Sequence, residues 1–453
     1  MKRFFQTLKN IYHIEDLRIR IINTLGIILI YRLGSFVVLP GVDPGQLQQL
    51  QAQTQDGLLG LLNMFSGGAF SNASIFALGI MPYISASIVI QLLGVAVPYF
   101  QRLQKEGESG RKKINQITRY LTVFITAAQA PAYLANLVSQ LPPQAITPFD
   151  PAATSTSLYF MISSVVILIS GTMFVMWLGE RITERGIGNG ISLIIMVGII
   201  AQLPFALAAE FIARVEEASG GGAVIFLVEL VILMAVVVMV ILLVQGTRRI
   251  PVQFAKRVVG NKQYGGVRQY IPLKVNAAGV MPIIFAQAIM FIPITLAGFS
   301  EALSGFAATM SNFTGFWYNF TFAFLIILFT YFYTAITVNP NQMAEDMKKN
   351  GGFIPGVKPG KRTAEFIDNV MSRITLPGSL FLAFVAIMPA LVSLMGVTSQ
   401  FAQFFGGTSL LIMVGVVLDT LQQIESHLLM RHYDGLTKSG RIKGRSSPMG
   451  MTG

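Results

Sequence analysis

The positions of the basic residues constrain this chain more than any other feature of its sequence. All but two of its 33 Lys and Arg residues fall in six intervals, and the stretches between them are long enough to cross a bilayer twice. An excess of Lys and Arg marks the cytoplasmic side of a membrane protein. The predicted cytoplasmic segments are therefore residues 2–20, 102–119, 181–185, 248–274, 348–373 and 431–445.

The composition excludes a soluble protein. Of the 453 residues, 53% are hydrophobic and only 12% are charged, whereas soluble domains carry about 25% charged residues. We therefore expect an integral membrane protein. The chain has no cysteine, which excludes disulfides, thiolate metal sites and cysteine catalysis. No motif indicates a cofactor or a metal ion.

The apolar stretches predict ten membrane-spanning helices, because a helix needs about 20 apolar residues to cross the hydrocarbon. Since ten is even, both termini share a side, and the basic intervals place that side in the cytoplasm. The predicted spans are residues 21–39, 73–94, 117–137, 157–179, 189–208, 222–244, 279–298, 318–338, 374–396 and 406–427.

Ten spans divide naturally into two groups of five. With an odd number of spans in each half, the second half would be inverted relative to the first, which is common among membrane transport proteins. The predicted segments are an N-terminal segment 1–20, a first half 21–208, an outer hinge loop 209–221, a second half 222–427 with cytoplasmic loops 246–277 and 339–373, and a tail 428–453.

The connection between the first two spans, residues 43–71, is not an ordinary loop. It has no Lys or Arg, contains the apolar run GLLGLLN (57–63) and continues as MFSGGAFSN (64–72), too short and too rich in glycine to span. It could re-enter the membrane region where protein or a water-filled cavity surrounds it. It could equally be an interfacial helix on the lipid, and these residues alone do not decide.

The motifs for catalysis and ion coupling are weak. Ser109, in the motif GESG (107–110), resembles a protease serine but lies in a charged loop, and the three histidines fall outside the apolar centres. The ionisable candidates within spans are Arg32, Glu229 and Asp419. Such residues mark ion pathways in transporters, but these three do not form a proton relay pattern.

The two longest cytoplasmic loops differ in charge. Residues 246–277 hold seven basic residues and no acidic one, which fits a solvated or lipid-binding loop, or docking of a polyanion such as RNA. Residues 339–373 hold six basic and four acidic residues around the turn-rich GGFIPGVKPG (351–360), which suggests a protein-docking tip.

Taken together, the chain resembles the SecY/Sec61-alpha family of protein-conducting channels over about residues 10–430. The resemblance lies in five motifs in the same order: FSGGAFSNASIFALGIMPYISASI (65–88), KEGESGRKKINQITRY (105–120), ITERGIGNGIS (182–192), PLKVNAAGVMP (272–282) and GGTSLLI (406–412).

The resemblance implies an all-α fold with an hourglass pore between two inverted five-helix halves. A plug segment, residues 58–72, would close the pore, through Leu58, Leu59, Leu62, Met64, Phe65, Gly67, Gly68 and Phe70. A ring of apolar pore residues would be Ile80, Ile84, Ile191, Ile195, Ile284 and Ile412. Such a ring can deform around a passing chain and dewet when empty.

The resemblance also implies a lateral gate to lipid between spans two, three, seven and eight, with the polar residues Ser85, Ser87, Gln129 and Asn276. The ribosome or the SecA motor would dock on the cytoplasmic loops through Arg248, Arg249, Lys256, Arg257 and Lys358. Lys358 departs from the family's usual Arg and lacks the bidentate guanidinium fork. The region 137–157 is longer than is typical of the family.

The function implied is a passive channel of the bacterial inner membrane, with no catalytic residue. It would conduct unfolded, signal-bearing polypeptides, release hydrophobic segments into lipid, and take its energy from a ribosome or from SecA. Partners implied are SecE, SecG, SecA, the ribosome, signal peptides, nascent chains and lipid. The alternatives are a secondary transporter, which the span count would also suit, and a membrane enzyme using Ser109.

Overall fold

The computed structural model describes residues 14–47, 60, 63–141, 158–217, 222–254, 257–259, 262–264, 268–297, 309 and 312–438. The predicted N-terminal segment up to residue 13, most of the long region 137–157 and the tail beyond residue 438 lie outside the described residues, as do Leu58, Leu59, Leu62 and Lys256.

The described chain is mostly helical. The helices of the first half are α1 (Glu15–Gly34), α2 (Met81–Ala96), α3 (Pro98–Lys105), α4 (Glu108–Gln140), α5 (Leu158–Arg185) and α6 (Gly190–Glu217). Those of the second half are α7 (Gly222–Gln245), α8 (Met281–Ala297), α9 (Phe316–Thr337), α10 (Pro340–Lys349), α11 (Lys361–Leu394), α12 (Ser399–Ala402) and α13 (Gly407–Lys438). Two short 3-10 helices cover Pro44–Gln46 and Gln403–Phe405.

A helix overlaps each of the ten predicted spans. Within the described residues, seven helices are long and apolar enough to cross a membrane, or eight if α2 and α3, which are bent by 97°, count as one span. The helices at the other two predicted spans, α1 and α8, are too charged or too short to be counted. α1 carries three arginines in its 20 residues, and α8 is only 17 residues long.

Several helices extend beyond their predicted ends. α4 begins at Glu108 and α11 at Lys361, each well before the apolar part of its span. α6 runs to Glu217, so most of the predicted outer loop 209–221 is helical. The reason is that Glu210 and Arg214, one turn apart, form an ion pair at 2.9 Å and let α6 keep charged residues inside the packed structure.

The helices pack around three apolar clusters. One cluster lies wholly within residues 39–168 and a second wholly within residues 236–414. The third, here called the central cluster, takes buried side chains from α1, α5, α6, α11 and α13 and from the segments 64–80 and 397–405. The two parts of the chain therefore each have a core and share the central cluster.

The predicted helical membrane fold is confirmed, and a small β-sheet lies in one region outside the membrane-spanning helices. Five short strands follow α7 and α10, and they are β1 (Thr247–Phe254), β2 (Arg257–Val259), β3 (Lys262–Tyr264), β4 (Arg268–Lys274) and β5 (Gly352–Phe353). β1 pairs antiparallel with β4 from Thr247 opposite Lys274 to Gln253 opposite Arg268, and it pairs with β5 through Gln253 and Phe254. β2 and β3 form a separate antiparallel pair.

This sheet joins the two long loops, residues 246–277 and 339–373, into one region. Ile250 and Val252 of β1 and Leu273 of β4 are buried in a small cluster with four apolar residues of the second loop and α11, which are Met347, Ile354, Ile367 and Met371. The alternation of exposed and buried residues in β1 is typical of a strand with one face on a core. The β-sheet therefore makes residues 247–274 and 347–371 one structural unit.

Candidate pore and its seal

The described part of the plug segment is a tight turn closed by backbone and side-chain hydrogen bonds. The N–H of Gly68 donates to the carbonyl of Asn63 at 2.9 Å, and the N–H of Ser71 donates to the Asn63 side-chain oxygen at 3.0 Å. Gly67 and Gly68 have φ of +66° and +89°, a left-handed backbone that glycine adopts without steric cost. The turn is therefore specified locally by the sequence NMFSGGAFS at residues 63–71.

This turn lies inside the protein. Met64 and Phe65 are buried in the central cluster, and Phe70 is buried against Tyr133 of α4, whose hydroxyl donates to the Phe70 carbonyl at 3.0 Å. The two ring centroids are 4.9 Å apart in an edge-on arrangement. For the described residues, the interfacial helix considered from the sequence is wrong.

Two glycines allow the turn to contact the backbone of α6. A Cβ atom on Gly67 would lie 2.9 Å from the Cα of Gly198, and one on Gly198 would lie 3.1 Å from both the amide nitrogen of Gly67 and the carbonyl of Phe65. The first distance is a clash with backbone and the second is a tight contact, so glycine is needed at position 67 and favoured at position 198. The turn is thereby packed directly on α6.

The six predicted pore isoleucines belong to the same apolar cluster as this turn. Ile80, Ile195 and Ile412 are buried in the central cluster together with Met64 and Phe65. The remaining three are half-buried and pack against the same cluster, and they are Ile84, Ile191 and Ile284.

The six side chains come from four places in the chain: the start of α2, the first turns of α6, the start of α8 and the first turns of α13. The pairs 80/84 and 191/195 are four residues apart and so share a helix face. Residues far apart in sequence therefore meet in one apolar cluster that also contains Met64 and Phe65 of the plug segment.

The four predicted gate residues are not joined to one another by hydrogen bonds among the described residues. Ser85 bonds a carbonyl of its own helix at 3.1 Å, and Ser87 accepts from Gln91 at 3.2 Å. Gln129 is exposed on α4, and Asn276 is buried with its side-chain oxygen unpartnered. A polar network across the gate stays a prediction.

Four of the five predicted docking residues are among the described residues. Arg248 and Arg249 are exposed near the start of β1, and Lys358 is exposed in the turn before α11. The Lys358 carbonyl accepts from the Thr363 hydroxyl at 3.0 Å, which fixes the backbone of this turn. Arg257 begins β2.

The ionisable residues considered for a transporter have other roles. Glu229 of α7 pairs with Arg214 of α6 at 2.6 Å, and Arg214 also pairs with Glu210. Glu210 accepts from the backbone N–H of Thr398 at 2.8 Å, so this charge network ties α6 and α7 to the segment before α12. Asp419 is exposed. Sequence reasoning missed Glu210 and Arg214, although their four-residue spacing on a helix is the signal of an ion pair.

Arg32, the third such residue, bonds the plug segment. Its guanidinium donates to the carbonyl of Gly67 at 2.8 Å and lies 5.4 Å from the centroid of the Phe36 ring. The hydroxyl of the preceding residue, Tyr31, donates to the carbonyl of Ser66 at 3.0 Å. Ser109, at the start of α4, is exposed.

The chain is a polytopic helical membrane protein with a folded segment packed into its central apolar cluster, an arrangement that fits a channel. The family model for SecY matches residues 74–421, and the chain belongs to this family. A protein translocase subunit SecY of Streptomyces scabiei is 44% identical over 437 residues, covering 93% of this chain and 97% of the relative.

Solved structures share the fold. A protein-conducting channel superposes with a TM-score of 0.61 at 16% identity, covering 94% of this chain and 95% of that one. The canine Sec61 of a ribosome-channel complex from the endoplasmic reticulum gives a TM-score of 0.56 at 15% identity, with the same shares covered. The chain is thus a protein-conducting channel subunit of the translocase and not an enzyme.

Proposed function

We propose that unfolded polypeptides pass between the six isoleucines after the plug segment has moved aside. The observation that carries this proposal is that those side chains, from four separate places in the chain, share one apolar cluster with Met64 and Phe65 of the plug segment. Branched apolar side chains can separate around an extended chain of any sequence. When the channel is empty they exclude water, which blocks ions without a charged filter.

Hydrophobic segments leave sideways into lipid, between α2 and α4 on one side and α8 and α9 on the other. In support, α2 packs on α4 and α8 packs on α9, so each side of the gate can move as a pair. Ser85, Ser87, Gln129 and Asn276 set how easily the gate opens, because water can reach these polar groups when the gate parts. The effect is largest for Asn276, which is buried with its side-chain oxygen unpartnered.

The channel works in the bacterial inner membrane with both termini in the cytoplasm, together with SecE and SecG. The sheet is the docking surface for SecA and the ribosome. This docking role is supported by Arg248 and Arg249, which are exposed and lie in a stretch, residues 246–277, that has no acidic residue. A cytoplasmic surface of this charge attracts the phosphates of ribosomal RNA.

Reconstitution distinguishes this function from a secondary transporter. Proteoliposomes holding the chain with SecE and SecG should take up a signal-bearing precursor only when SecA and ATP are supplied. A precursor without a signal is the control and should stay outside. Uptake of a small solute under an ion gradient alone, with no precursor uptake, would support the transporter.

The docking surface predicts a specific salt dependence. Reversing Arg248 and Arg249 to Glu should weaken ribosome binding and lower the slope of log affinity against log salt by about one for each phosphate that is no longer neutralised. The measurement is cosedimentation with ribosomes across a salt series. Arg111→Glu, an exposed change on α4 outside the sheet, is the matched control. An affinity and slope equal to those of the control would contradict the assignment.

A further inference from the structure

We propose that Tyr31 and Arg32 of α1 form a two-point latch that holds the plug segment shut and sets how strong a signal must be to open the channel. The inference rests on the proposed function, in which the plug segment seals the pore. Tyr31 and Arg32 are positioning residues, because both act through the backbone of the plug segment.

The latch is visible as two hydrogen bonds from neighbouring residues to neighbouring carbonyls. The Tyr31 hydroxyl donates to the Ser66 carbonyl at 3.0 Å and the Arg32 Nη1 donates to the Gly67 carbonyl at 2.8 Å. Tyr31 is only 1% exposed, and its ring stacks on Phe76, 6.2 Å away between centroids. Both donors are therefore held in place by α1 and its neighbours, and the carbonyls are on the part that must move.

The charge of Arg32 makes the bond to Gly67 important. A cation within a membrane-spanning helix is costly and is retained where it has a function. No carboxylate of the described residues forms an ion pair with Arg32, whose described partners are the Gly67 carbonyl and the Phe36 ring. When the plug segment leaves, Arg32 loses its backbone acceptor, so opening is opposed by a charge-assisted hydrogen bond.

The backbone of the turn places the Gly67 carbonyl within hydrogen-bonding distance of Arg32. A Cβ atom on Gly67 would lie 2.8 Å from Arg32 Nη1 and 2.9 Å from the Cα of Gly198, so a side chain here would displace the Arg32 guanidinium and push the turn off α6. The positive φ of Gly67 also disfavours any other residue. The hydrogen bond from Arg32 and the close contact with α6 therefore both depend on glycine at position 67.

The test measures resting conductance in planar bilayers and uptake of a precursor with a defective signal, both with the chain assembled with SecE and SecG. Arg32→Met should raise resting conductance on the order of tenfold or more, because a hydrogen bond to a charged group is removed. Tyr31→Phe, which removes a neutral hydrogen bond, should raise it about threefold. Both variants should admit the defective precursor. Arg20→Met is the control: Arg20 is on the same helix, pairs with Asp16 at 3.5 Å and should change neither readout.

A second series shows whether Arg32 acts through the plug segment. Deleting residues 63–72 should itself raise resting conductance, and adding Arg32→Met to that deletion should raise it no further. The latch is wrong if the deletion leaks but Arg32→Met in the full chain does not. It is also wrong if Arg32→Met adds leak to the deletion. In both cases the plug segment still seals the pore. If the deletion does not leak, the sealing role in the proposed function is itself wrong.

Should Arg32→Met fail to assemble, Arg32→Lys takes its place. Lys keeps the charge, but its side chain is one bond shorter and ends in a compact ammonium, so its bond to the Gly67 carbonyl should be weaker and the channel should leak more than the unchanged chain. A resting conductance for Arg32→Lys and Tyr31→Phe equal to that of Arg20→Met would overturn the latch.

Discussion

Replacing Ile284 or Ile412 with Asn should make the resting channel leak ions and accept precursors with defective signals. The amide would bring water into a constriction that is otherwise apolar, because a buried polar group is costly unless it is hydrogen-bonded. We expect resting conductance to rise on the order of tenfold or more, since dewetting is what closes such a constriction. Ile412 is buried beside the plug segment, so its effect should be among the largest.

The matched control lies on the same helix. Ile289 of α8 has the same side chain as Ile284 but is exposed on the outside of the protein. Ile289→Asn should leave resting conductance unchanged, which separates loss of the apolar constriction from damage to the helix. Equal conductance for Ile284→Asn and Ile289→Asn in planar bilayers would contradict the role of the six isoleucines.

Replacing Arg214 with Met should be the most destabilising single change outside the pore. It would leave Glu210, which is fully buried, and Glu229, which is nearly so, without their cation. Removing one partner of a buried ion pair typically lowers the free energy of unfolding by about 3–5 kcal/mol. The measurement is the thermal unfolding midpoint of the purified chain in mild detergent.

Two further variants control that experiment. Arg181→Met removes an exposed pair with Glu184 and should change the free energy of unfolding by at most about 1 kcal/mol. The triple change Glu210→Gln, Arg214→Met, Glu229→Leu removes every charge of the network and should recover much of the stability, since well-packed neutral groups can replace a buried network. If Arg214→Met unfolds at the same temperature as Arg181→Met, the network does not stabilise this end of α6 and α7.

The membrane helices could be predicted from sequence because each depends on local composition. A long apolar run needs no partner to be recognised, and the described helices fall on all ten predicted spans. The ends of these helices were harder to predict because charged residues lie inside them. α1 carries Arg18 and Arg20 near its start, and α6 contains Glu210 and Arg214.

The sheet could not be predicted in the same way because its pairing is non-local. β1 meets β5 through Gln253 opposite Phe353, residues far apart in the chain, and β5 is only two residues long. The alternation in β1 was a local signal of a strand. The basic residues of the same stretch hide this signal, because their composition is typical of an exposed loop.

The pore residues and the plug segment also divide into features that a sequence can indicate and contacts that it cannot. The isoleucine positions came from the family resemblance, since periodicity alone does not separate a pore isoleucine from one that faces lipid. The bonds from Tyr31 and Arg32 to Ser66 and Gly67 leave no trace in the sequence, because their acceptors are backbone carbonyls 35 residues away. Hydrogen bonds to the backbone of a distant segment can be found only in a structure.

The most direct test of the pore is to ask which residues touch a polypeptide halted during translocation. The chain has no cysteine, so a single cysteine can be placed at each position of the ring and paired oxidatively with one in the halted precursor. Leu29 and Leu227, which are exposed on the outside of the protein, are the controls. We expect disulfides from Ile80, Ile84, Ile191, Ile195, Ile284 and Ile412 and none from the two leucines. Crosslinks from the leucine positions with none from the isoleucines would mean that polypeptides take another route.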